Sequence, residues 1–325
     1  MIERIAVYES GGVDPYRNLA LEQHLHETAF GGCCLLYLWQ NQNTVVIGRN
    51  QNAWAECRTA LLASERGRLA RRLSGGGAVY HDLGNLNFTF LMRTEDYDLN
   101  KQQAVIRAAC RHFGVETEVS GRNDLTAEGR KFSGNAFYHH DGRSYHHGTL
   151  LVDVDTDRMT RYLSPSKAKL SHKGVESVRA RVVNLAELNP EITVSRLKAA
   201  MKDAFSEVYG LPLALHTAID EERVDALTRH YASDAWLFGQ KLPFTLRCEQ
   251  RFSWGGVELQ LSIGHGVITD ARVYTDAMDE AFAPKLMTAL LGCHLKTDAI
   301  QDALRRTDLS TEQQAELLTL FAAVL

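Results

Sequence analysis

The sequence predicts an α+β fold organised as two domains. A chain of 325 residues is too long for one small core. Its strand-like and helix-like segments do not follow the strict β-α-β order of a parallel sheet, which favours a mixed or antiparallel sheet. From residue 246 onward, three strand-like segments are followed by three helix-like ones, as in a small separate domain. We therefore expect a large domain over residues 1–245 and a small accessory domain over 246–325.

Strand and helix signals succeed one another through the first part of the chain. β-branched and aromatic residues predict the strands, and Leu19, Leu21 and Leu25 recur at the spacing of an amphipathic helix. In chain order, the predicted elements are a strand over 3–8, this helix, strands over 34–39 and 44–48, a helix over 53–67, a strand over 86–93, and a helix over 101–114 that ends at a glycine.

Turn and cap residues place the later elements. Asp141-Gly142 lies between two extended segments and predicts a hairpin turn. A helix is predicted over 193–209, with a threonine at its start and a glycine at its end. The accessory domain is expected to contain strands in RCEQRFSW, GVELQLSIG and VITDARVYTD, followed by helices over 280–291, 297–305 and 311–324.

The composition is that of an ordinary folded protein. Hydrophobic residues make up 45% of the chain, charged residues 23%, and the net charge is −4. This balance argues against nucleic-acid binding through a broad basic surface. The longest apolar runs are far shorter than the ~20 residues of a membrane span, and MIERIAVYES lacks the features of a signal peptide. We expect a soluble, cytoplasmic protein that binds neither nucleic acid nor membrane.

The six cysteines form no CxxC pair and show no regular spacing. This pattern favours reduced cysteines buried in the core.

The stretch RRLSGGGAVYHDLGN (71–85) places three consecutive glycines behind two arginines. Glycines allow a close approach of the backbone or a turn through positive φ. One interpretation is a plain turn between two strands. The other is a cradle of backbone N–H groups for an anion, with Arg71 or Arg72 supplying charge. The stretch lacks the Lys-Ser/Thr ending of a P-loop and is not GxGxxG.

A second polar cluster is GRNDLTAEGRKFSGNA (121–136). Asn123 and Asp124 have side chains suited to a metal ion or to an amide-bearing ring, and a carboxylate suits Mg²⁺. The ammonium of Lys131 could reach a phosphate or an activated acyl group. The alternatives are a turn or cap role for Asp124 and a solvated position at a strand edge for Lys131.

A third cluster, HHGTLL (146–151), faces a second histidine pair, 139–140, across the predicted hairpin. Neighbouring histidines in a strand point to opposite faces, and no cysteine or acidic triad completes a zinc site. We expect one histidine of each pair to face solvent. His147 should face a pocket together with Gly148 and Thr149.

Together the three clusters resemble the motif set of lipoate-protein ligases that use free lipoate. The similarity extends to LWQNQNTVVIGRNQN (38–52), to LSHKGVESVRARVVNL (170–185), which resembles the adenylate-covering loop of that family, and to RFSWGGVELQLSIGHGVITDARVYTD (251–276), which resembles its small C-terminal domain. The resemblance covers essentially the whole chain in order. Each motif alone is weak, whereas the combination is specific.

This resemblance implies a fold shared with biotin ligases and octanoyltransferases, and a two-step reaction. Lipoate attacks the α-phosphorus of ATP, with Mg²⁺ present, and gives lipoyl-adenylate and pyrophosphate. The lipoyl group then passes to a lysine of a carrier domain, either the E2 subunit of a 2-oxoacid dehydrogenase or the H protein of the glycine cleavage system.

The resemblance also assigns residues by position. Lys131 is the expected catalytic residue, which bridges the carboxylate and the phosphate and contacts both substrates. Asn123 and Asp124 match the adenine and metal-side contacts. The nucleotide-binding segment corresponds to Arg72, Gly77, Ala78, Val79, Tyr80, His81 and Asn85. The lining of the lipoyl tunnel corresponds to Ser74, Gly76, His147 and Thr149. Leu73, where the family often has a small polar residue, and the short loop before Lys131 depart from the pattern.

Three other functions are compatible with related folds. An octanoyltransferase uses an acyl-carrier donor, no ATP and usually a cysteine nucleophile, but none of the six cysteines lies in the three clusters. A non-catalytic lipoate or nucleotide sensor would be expected to have lost the lysine or the glycines. A biotin ligase would carry a different loop rich in glycine and arginine.

Overall fold

The computed structural model describes residues 1–121, 123–164, 182–239 and 243–322. The strands are β1 Arg4–Glu9, β2 Cys33–Trp39, β3 Thr44–Ile47, β4 Arg68–Arg71, β5 Val79–His81, β6 Asn85–Arg93, β7 Glu118–Ser120, β8 Asp124–Ala127, β9 Arg130–His140, β10 Arg143–Leu151, β11 Leu213–Leu215, β12 Leu246–Phe252, β13 Gly255–Gly264 and β14 Val267–Thr275. The helices are α1 Pro15–Glu27, α2 Ala53–Glu56, α3 Thr59–Ser64, α4 Leu99–Arg111, α5 Thr156–Tyr162, α6 Leu185–Leu188, α7 Val194–Tyr209, α8 Glu221–Tyr231, α9 Asp234–Leu237, α10 Phe282–Leu290, α11 Thr297–Arg305 and α12 Thr311–Ala322.

The main sheet has eight strands in the order β11-β1-β2-β6-β10-β9-β8-β7. β1 runs parallel to both of its neighbours, and the remaining pairs are antiparallel. The sheet is therefore mixed, which confirms the α+β class.

Helices cover both faces of this sheet. On one face, α4 and α7 pack against Cys34, Leu36 and Leu38 of β2. On the other face, α1 and α8 pack against Leu35, Tyr37 and Trp39 of the same strand. Every residue of β2 is buried as a result, and its sequence CCLLYLW is uniformly apolar.

A second, three-stranded sheet has the order β4-β3-β5. The glycine loop, which we define as residues 72–78, joins β4 to β5 across β3. A Cβ on Gly48, at the end of β3, would lie 2.2 Å from the carbonyl oxygen of Gly76. Only glycine fits at position 48, because the glycine loop passes directly over it.

The C-terminal domain is the antiparallel sheet β12-β13-β14 with α10, α11 and α12. It has an apolar cluster of its own, in which Leu259 and Leu261 of the sheet pack with Phe282, Leu286 and Phe321 of the helices. The predicted order of three strands and three helices is confirmed. The boundary between residues 245 and 246 stays a prediction.

Local signals in the sequence placed several elements correctly. Helix α7 begins after Thr193, whose side chain accepts from the Arg196 N–H, and ends at Gly210, which has a φ of +66°. Asp141 and Gly142 form the two-residue turn between β9 and β10, both with positive φ. All six cysteines are free, and all except the half-buried Cys293 are buried. In the described part of the chain, no helix is both long and apolar enough to cross a membrane.

Two expectations were wrong. The helix predicted over 53–67 is interrupted, because Cys57 adopts an extended conformation and its backbone pairs with Leu163, which separates α2 from α3. The histidine pairs are not divided between core and solvent. His139 and His140 are both exposed near the hairpin turn, whereas His146 and His147 are both buried. The second pair is buried because helices cover both faces of the sheet at that point.

Candidate active site

The three sequence clusters meet at one cavity of about 150 Å³, which we call the central cavity. The glycine loop forms one side of it, and β9 and β10 of the main sheet form another. Most of the predicted site residues line it: Arg72, Gly76, Gly77, Ala78, Val79, His81, Asn123, Lys131, His147 and Thr149. His147 therefore faces a pocket with Gly148 and Thr149, as the sequence predicts.

Four predicted residues do not line the central cavity. Tyr80 points to the opposite side of β5, where its hydroxyl donates to Asn43 Oδ1 at 3.1 Å. Asn85 Nδ2 donates to Asn87 Oδ1 at 2.9 Å. Asp124 contacts Lys131, and Ser74 contacts His147. Asn85, Asp124 and Ser74 therefore contact residues of the cavity wall, whereas the Tyr80 side chain points away from it.

Sequence reasoning missed several residues of the wall. The apolar part comes from Leu19 of α1, Trp39 of β2 and Val46 of β3. Polar groups come from Asn87 of β6 and Asn135 of β9. The one available signal was an asparagine inside each of these two strands, and both asparagines are buried, where an amide needs a partner.

Lys131 forms an ion pair with Asp124, with 2.7 Å between Nζ and Oδ1. The two side chains are 37% and 34% exposed, so solvent and ligand can both reach the pair. The lysine lies across Gly134, where a Cβ would be 3.0 Å from Nζ. The lysine is therefore partly exposed beside the cavity, where a carboxylate holds it.

Arg72 holds the glycine loop in shape. Its Nη2 donates to the carbonyls of Gly75 at 2.7 Å and Gly77 at 2.8 Å, and its Nε donates to Ser74 Oγ at 3.0 Å. Burial lowers its pKa to about 10, so it remains a cation at neutral pH. The arginine lines the cavity, but most of its donors already have partners in the protein.

Arg71 does not supply charge to the cavity, in contrast to one of the two sequence-based options. Its guanidinium donates to carbonyls of the loop after β3, including those of Arg49 at 2.9 Å and Gln51 at 2.7 Å, and to the carbonyl of Trp236 at 2.9 Å. Strand alternation explains the difference, because neighbouring side chains of β4 point to opposite sides.

The glycine loop also contacts the C-terminal domain. The Gly76 N–H donates to the Ala277 carbonyl at 3.0 Å, and a Cβ on Gly75 would lie 2.4 Å from that carbonyl oxygen. Gly76 has a φ of +87°, which side chains rarely adopt. In this structure the close approach at Gly75 is therefore to the protein itself, and the Gly76 amide is already hydrogen bonded.

His81 brings an uncharged donor to the cavity. Burial, the Arg72 cation and His147 lower its pKa to about 3. Asn41 Nδ2 lies 3.2 Å from His81 Nδ1, and since an amide nitrogen only donates, the proton of the neutral ring is on Nε2. Within the described residues, neither His81 Nε2 nor Asn87 Nδ2 has a hydrogen-bond partner, although both are buried. Buried polar atoms of this kind usually have a partner, which here would be a ligand or water.

His146 supports the wall from behind. Its Nε2 lies 2.8 Å from Asn135 Oδ1 and its Nδ1 lies 2.9 Å from Gln102 Oε1 of α4. Burial lowers its pKa to about 3. Both facing atoms are acceptor oxygens, so a ring with a single proton can donate to only one of them. Asn135 in turn exchanges backbone and side-chain hydrogen bonds with Asn123. The histidine therefore has a structural role.

His147 belongs to a buried chain of hydrogen bonds on the other face of the sheet. Its Nδ1 lies 2.8 Å from Glu22 Oε1 of α1, and its Nε2 lies 2.8 Å from Ser74 Oγ. Glu22 is 2% exposed and Ser74 is fully buried. Sequence reasoning did not find Glu22, since a glutamate in an amphipathic helix is usually a surface residue.

Two protein-family models match the sequence. The model of the lipoyl protein ligase A/B catalytic domain matches residues 14–206, and that of the bacterial lipoate protein ligase C-terminus matches residues 241–323. The chain belongs to the lipoyl protein ligase A/B family. This confirms the resemblance and the enzyme class, a lipoate-protein ligase.

Solved structures resemble this ligase over most of its length. LipL1 of Plasmodium falciparum, in complex with lipoate, is 26% identical, with 97% of this chain and 98% of that chain covered and a TM-score of 0.84. A lipoate-protein ligase A bound with ATP is 25% identical over 74% of this chain and 99% of that chain, with a TM-score of 0.63. A bipartite ligase of Thermoplasma acidophilum, described with its E2 lipoyl domain, is 25% identical over 76% of this chain and 100% of that chain, with a TM-score of 0.65.

The segment predicted to cover the adenylate, 170–185, lies mostly outside the described residues of the ligase. Its described end begins at Val182, and the Val183 N–H donates to the Lys131 carbonyl at 2.9 Å. The chain therefore emerges from this segment directly beside the lysine.

Proposed function

We propose that the ligase activates free lipoate with ATP and transfers the lipoyl group to a lysine of a carrier domain. In the first step a carboxylate oxygen of lipoate attacks the α-phosphorus, the bond to the β-phosphate breaks, and pyrophosphate leaves. In the second step the amine of the carrier lysine attacks the acyl carbon, expels AMP and loses a proton. The observation that carries this proposal is the position of Lys131 at a cavity shared by the glycine loop and an apolar wall.

The chemistry of the wall suits both substrates. Leu19, Val46 and Trp39 offer apolar contacts for an aliphatic acyl chain. On the nucleotide side we place Arg72, Gly77, Ala78, Val79, His81 and Asn123, and on the lipoyl side Gly76, His147 and Thr149. Contacts of Tyr80 and Asn85 with the nucleotide would come from their backbone, because their side chains lie elsewhere.

Lys131 is the proposed catalytic residue. Lipoate and ATP are both anionic, so a fixed cation between them stabilises the negative charge that develops as they react. The same ammonium can hold the carbonyl oxygen of the mixed anhydride during transfer. Asp124 must release Lys131 for this role, and the exposure of the pair allows the exchange.

Asp124 is the proposed Mg²⁺ ligand. The described residues contain no group of three His, Cys, Asp or Glu side chains able to hold a metal. The single carboxylate of Asp124, beside the cavity at Lys131, fits a Mg²⁺ ion that arrives with the phosphates of ATP, since Mg²⁺ usually takes one or two carboxylates plus substrate oxygens. When bound, the ion would neutralise phosphate charge, and Asp124 would hold it after leaving Lys131.

The acyl acceptors we propose are the E2 lipoyl domains of 2-oxoacid dehydrogenases and the H protein of the glycine cleavage system. The E2 lipoyl domain described with the Thermoplasma ligase supports the first of these. Both would present a lysine amine to the same acyl carbon.

The cysteines argue against an octanoyltransferase. Burial raises the pKa of the Cys34 and Cys110 thiols to about 12 and that of the Cys57 and Cys248 thiols to about 11. A nucleophilic cysteine needs a lowered pKa, and no cysteine lines the central cavity in the described chain.

Pyrophosphate release tests the proposal directly. The purified protein is mixed with ATP, Mg²⁺ and lipoate without any carrier, and pyrophosphate is measured. We expect release that depends on lipoate and stops near one equivalent of enzyme. Transfer from an acyl-carrier donor without ATP would instead identify an octanoyltransferase, and binding without any turnover would identify a sensor.

A further inference from the structure

Glu22 of α1 is a carboxylate in the core, 2% exposed. It accepts hydrogen bonds at Oε1 from Thr89 Oγ1 at 2.7 Å and from His147 Nδ1 at 2.8 Å. Burying a carboxylate is unfavourable unless it is paired and hydrogen bonded. The carboxylate does not line the cavity, so a contact with the substrate does not explain its presence.

The hydrogen bonds continue from Glu22 to the glycine loop. His147 Nε2 lies 2.8 Å from Ser74 Oγ, and the same oxygen accepts from Arg72 Nε at 3.0 Å. Arg72 Nη2 then donates to the carbonyls of Gly75 and Gly77. A buried anion and a buried cation therefore stand at the two ends of one chain, which we call the Glu22 chain (Glu22, His147, Ser74 and Arg72).

The proton positions in this chain follow from its two ends. A carboxylate only accepts, so His147 Nδ1 donates to Glu22, and a ring with a single proton leaves Nε2 as an acceptor. The Ser74 hydroxyl must then donate to Nε2, which leaves its lone pairs for Arg72. If His147 carried its only proton on Nε2 instead, Nδ1 would face the Glu22 carboxylate with no proton between the two acceptors, and the chain would break at Glu22.

From this arrangement we propose that Glu22 is a positioning residue, which sets the shape of the glycine loop through His147, Ser74 and Arg72. Only the expected effect of Glu22 on the rate of pyrophosphate release rests on the proposed ligase function. The order Ser-His-Glu resembles a hydrolase triad. However, Ser74 is fully buried and hydrogen bonded by a cation, which makes its oxygen a poor nucleophile.

The first test reads the proton on His147 and needs no activity. Nitrogen NMR of histidine-labelled, ligand-free protein, assigned with a His147→Gln variant, distinguishes the two tautomers and the imidazolium. We expect Nδ1–H in the wild type and a loss of that preference in Glu22→Gln. A wild-type ring protonated on Nε2, either as the other tautomer or as the imidazolium, would overturn the proposal. An unchanged Nδ1–H tautomer in Glu22→Gln would also overturn it.

The second test measures pyrophosphate release. Glu22→Gln should lower the rate constant of this single turnover by about 10- to 100-fold, as expected when reacting groups are misplaced by about 1 Å, with a smaller change in the lipoate concentration that gives half the maximal rate. The matched control is Glu27→Gln on the same helix, since that carboxylate pairs with Arg223 away from the cavity. Equal rates for Glu22→Gln and Glu27→Gln would contradict the proposal.

A second variant covers the case in which Glu22→Gln does not fold. Ser74→Ala removes one atom and cuts the chain between His147 and Arg72. We expect it to keep the Nδ1–H tautomer of His147 but to lose rate, and the double variant to lose no more than the worse single one. Additive losses would show that Glu22 and Ser74 act separately. If the wild type itself releases no pyrophosphate, the proposed function fails while the NMR result still decides the tautomer.

Discussion

The Gly76 N–H donates to the Ala277 carbonyl at 3.0 Å, so the glycine loop and the C-terminal domain share a hydrogen bond. Two further contacts join the C-terminal domain to the loop after β3, since Thr275 N donates to the Asn50 carbonyl at 3.0 Å and Asn50 Nδ2 donates to the Glu280 carbonyl at 2.8 Å. A ligand that used the Gly76 amide would have to displace Ala277. Such a ligand would compete with the C-terminal domain for the Gly76 N–H.

A methyl group at Gly75 should separate the two domains. In Gly75→Ala the Cβ would lie 2.4 Å from the Ala277 oxygen and 2.5 Å from the Met278 oxygen, which no rotamer relieves. We expect a larger radius of gyration in small-angle scattering and faster proteolysis near residue 245. The control is Gly11→Ala, where a Cβ meets nothing within 4 Å. Identical scattering for both variants would show that the contact is dispensable.

Loss of the Lys131 ammonium should slow both half-reactions. We expect Lys131→Ala to lower adenylation and transfer by about 100- to 1000-fold, the usual cost of removing one preorganised group, with little change in the free energy of unfolding. Lys131→Arg should not restore the full rate, because a planar guanidinium places its charge differently. Pyrophosphate release and transfer from preformed lipoyl-adenylate are measured separately.

Lys285→Ala is a matched control for this lysine. Lys285 is 38% exposed and pairs with Asp308 at 2.8 Å, nearly the same exposure and pairing as Lys131. Its loss should leave both rates within about twofold, as for an ordinary surface ion pair. If Lys131→Ala behaves in the same way, the catalytic assignment is wrong.

Asp124→Asn should change the dependence on Mg²⁺. Removal of the carboxylate frees Lys131 from its partner but also removes the proposed metal ligand, so more Mg²⁺ should be needed for half-maximal pyrophosphate release. We expect that concentration to rise by about tenfold, which corresponds to about 1.4 kcal/mol. The control is Asp308→Asn, at the other lysine–aspartate pair. An unchanged Mg²⁺ dependence would leave Asp124 as a partner of Lys131 only.

Acid should destabilise the protein through its buried histidines. Burial lowers the pKa of His81 and of His146 to about 3, whereas the unfolded value is about 6.5. Between these values the unfolded state binds more protons, so stability is complete above about pH 6.5 and falls as the pH decreases. From pH 7 to pH 5 each histidine should cost about 2 kcal/mol of unfolding free energy.

Urea unfolding at the two pH values measures this loss. His146→Gln should show a smaller decrease between pH 7 and pH 5 than the wild type, although its stability at pH 7 is lower. His140→Gln, at the exposed end of the hairpin, should show the wild-type decrease. The same decrease in all three proteins would mean that His146 takes up its proton in the folded state.

The sequence by itself determined the elements whose ends depend on local chemistry. Thr193 and Gly210 bound α7 because a cap and a left-handed glycine act within one turn of helix. Asp141 and Gly142 form a turn because both tolerate positive φ. The three motif clusters in their order along the chain also sufficed to identify the family, since their combination is specific even though each motif alone is weak.

Only the tertiary structure decided which partners these residues meet. Cys57 leaves its helix to pair with Leu163, more than one hundred positions away along the chain. His146 and His147 are both buried because α4 and α1 cover opposite faces of β10. Glu22 lies in the core because His147 and Thr89 supply its donors from distant strands. Residue patterns encode local conformation and the direction of a side chain, whereas burial and pairing depend on contacts between segments that are remote in the sequence.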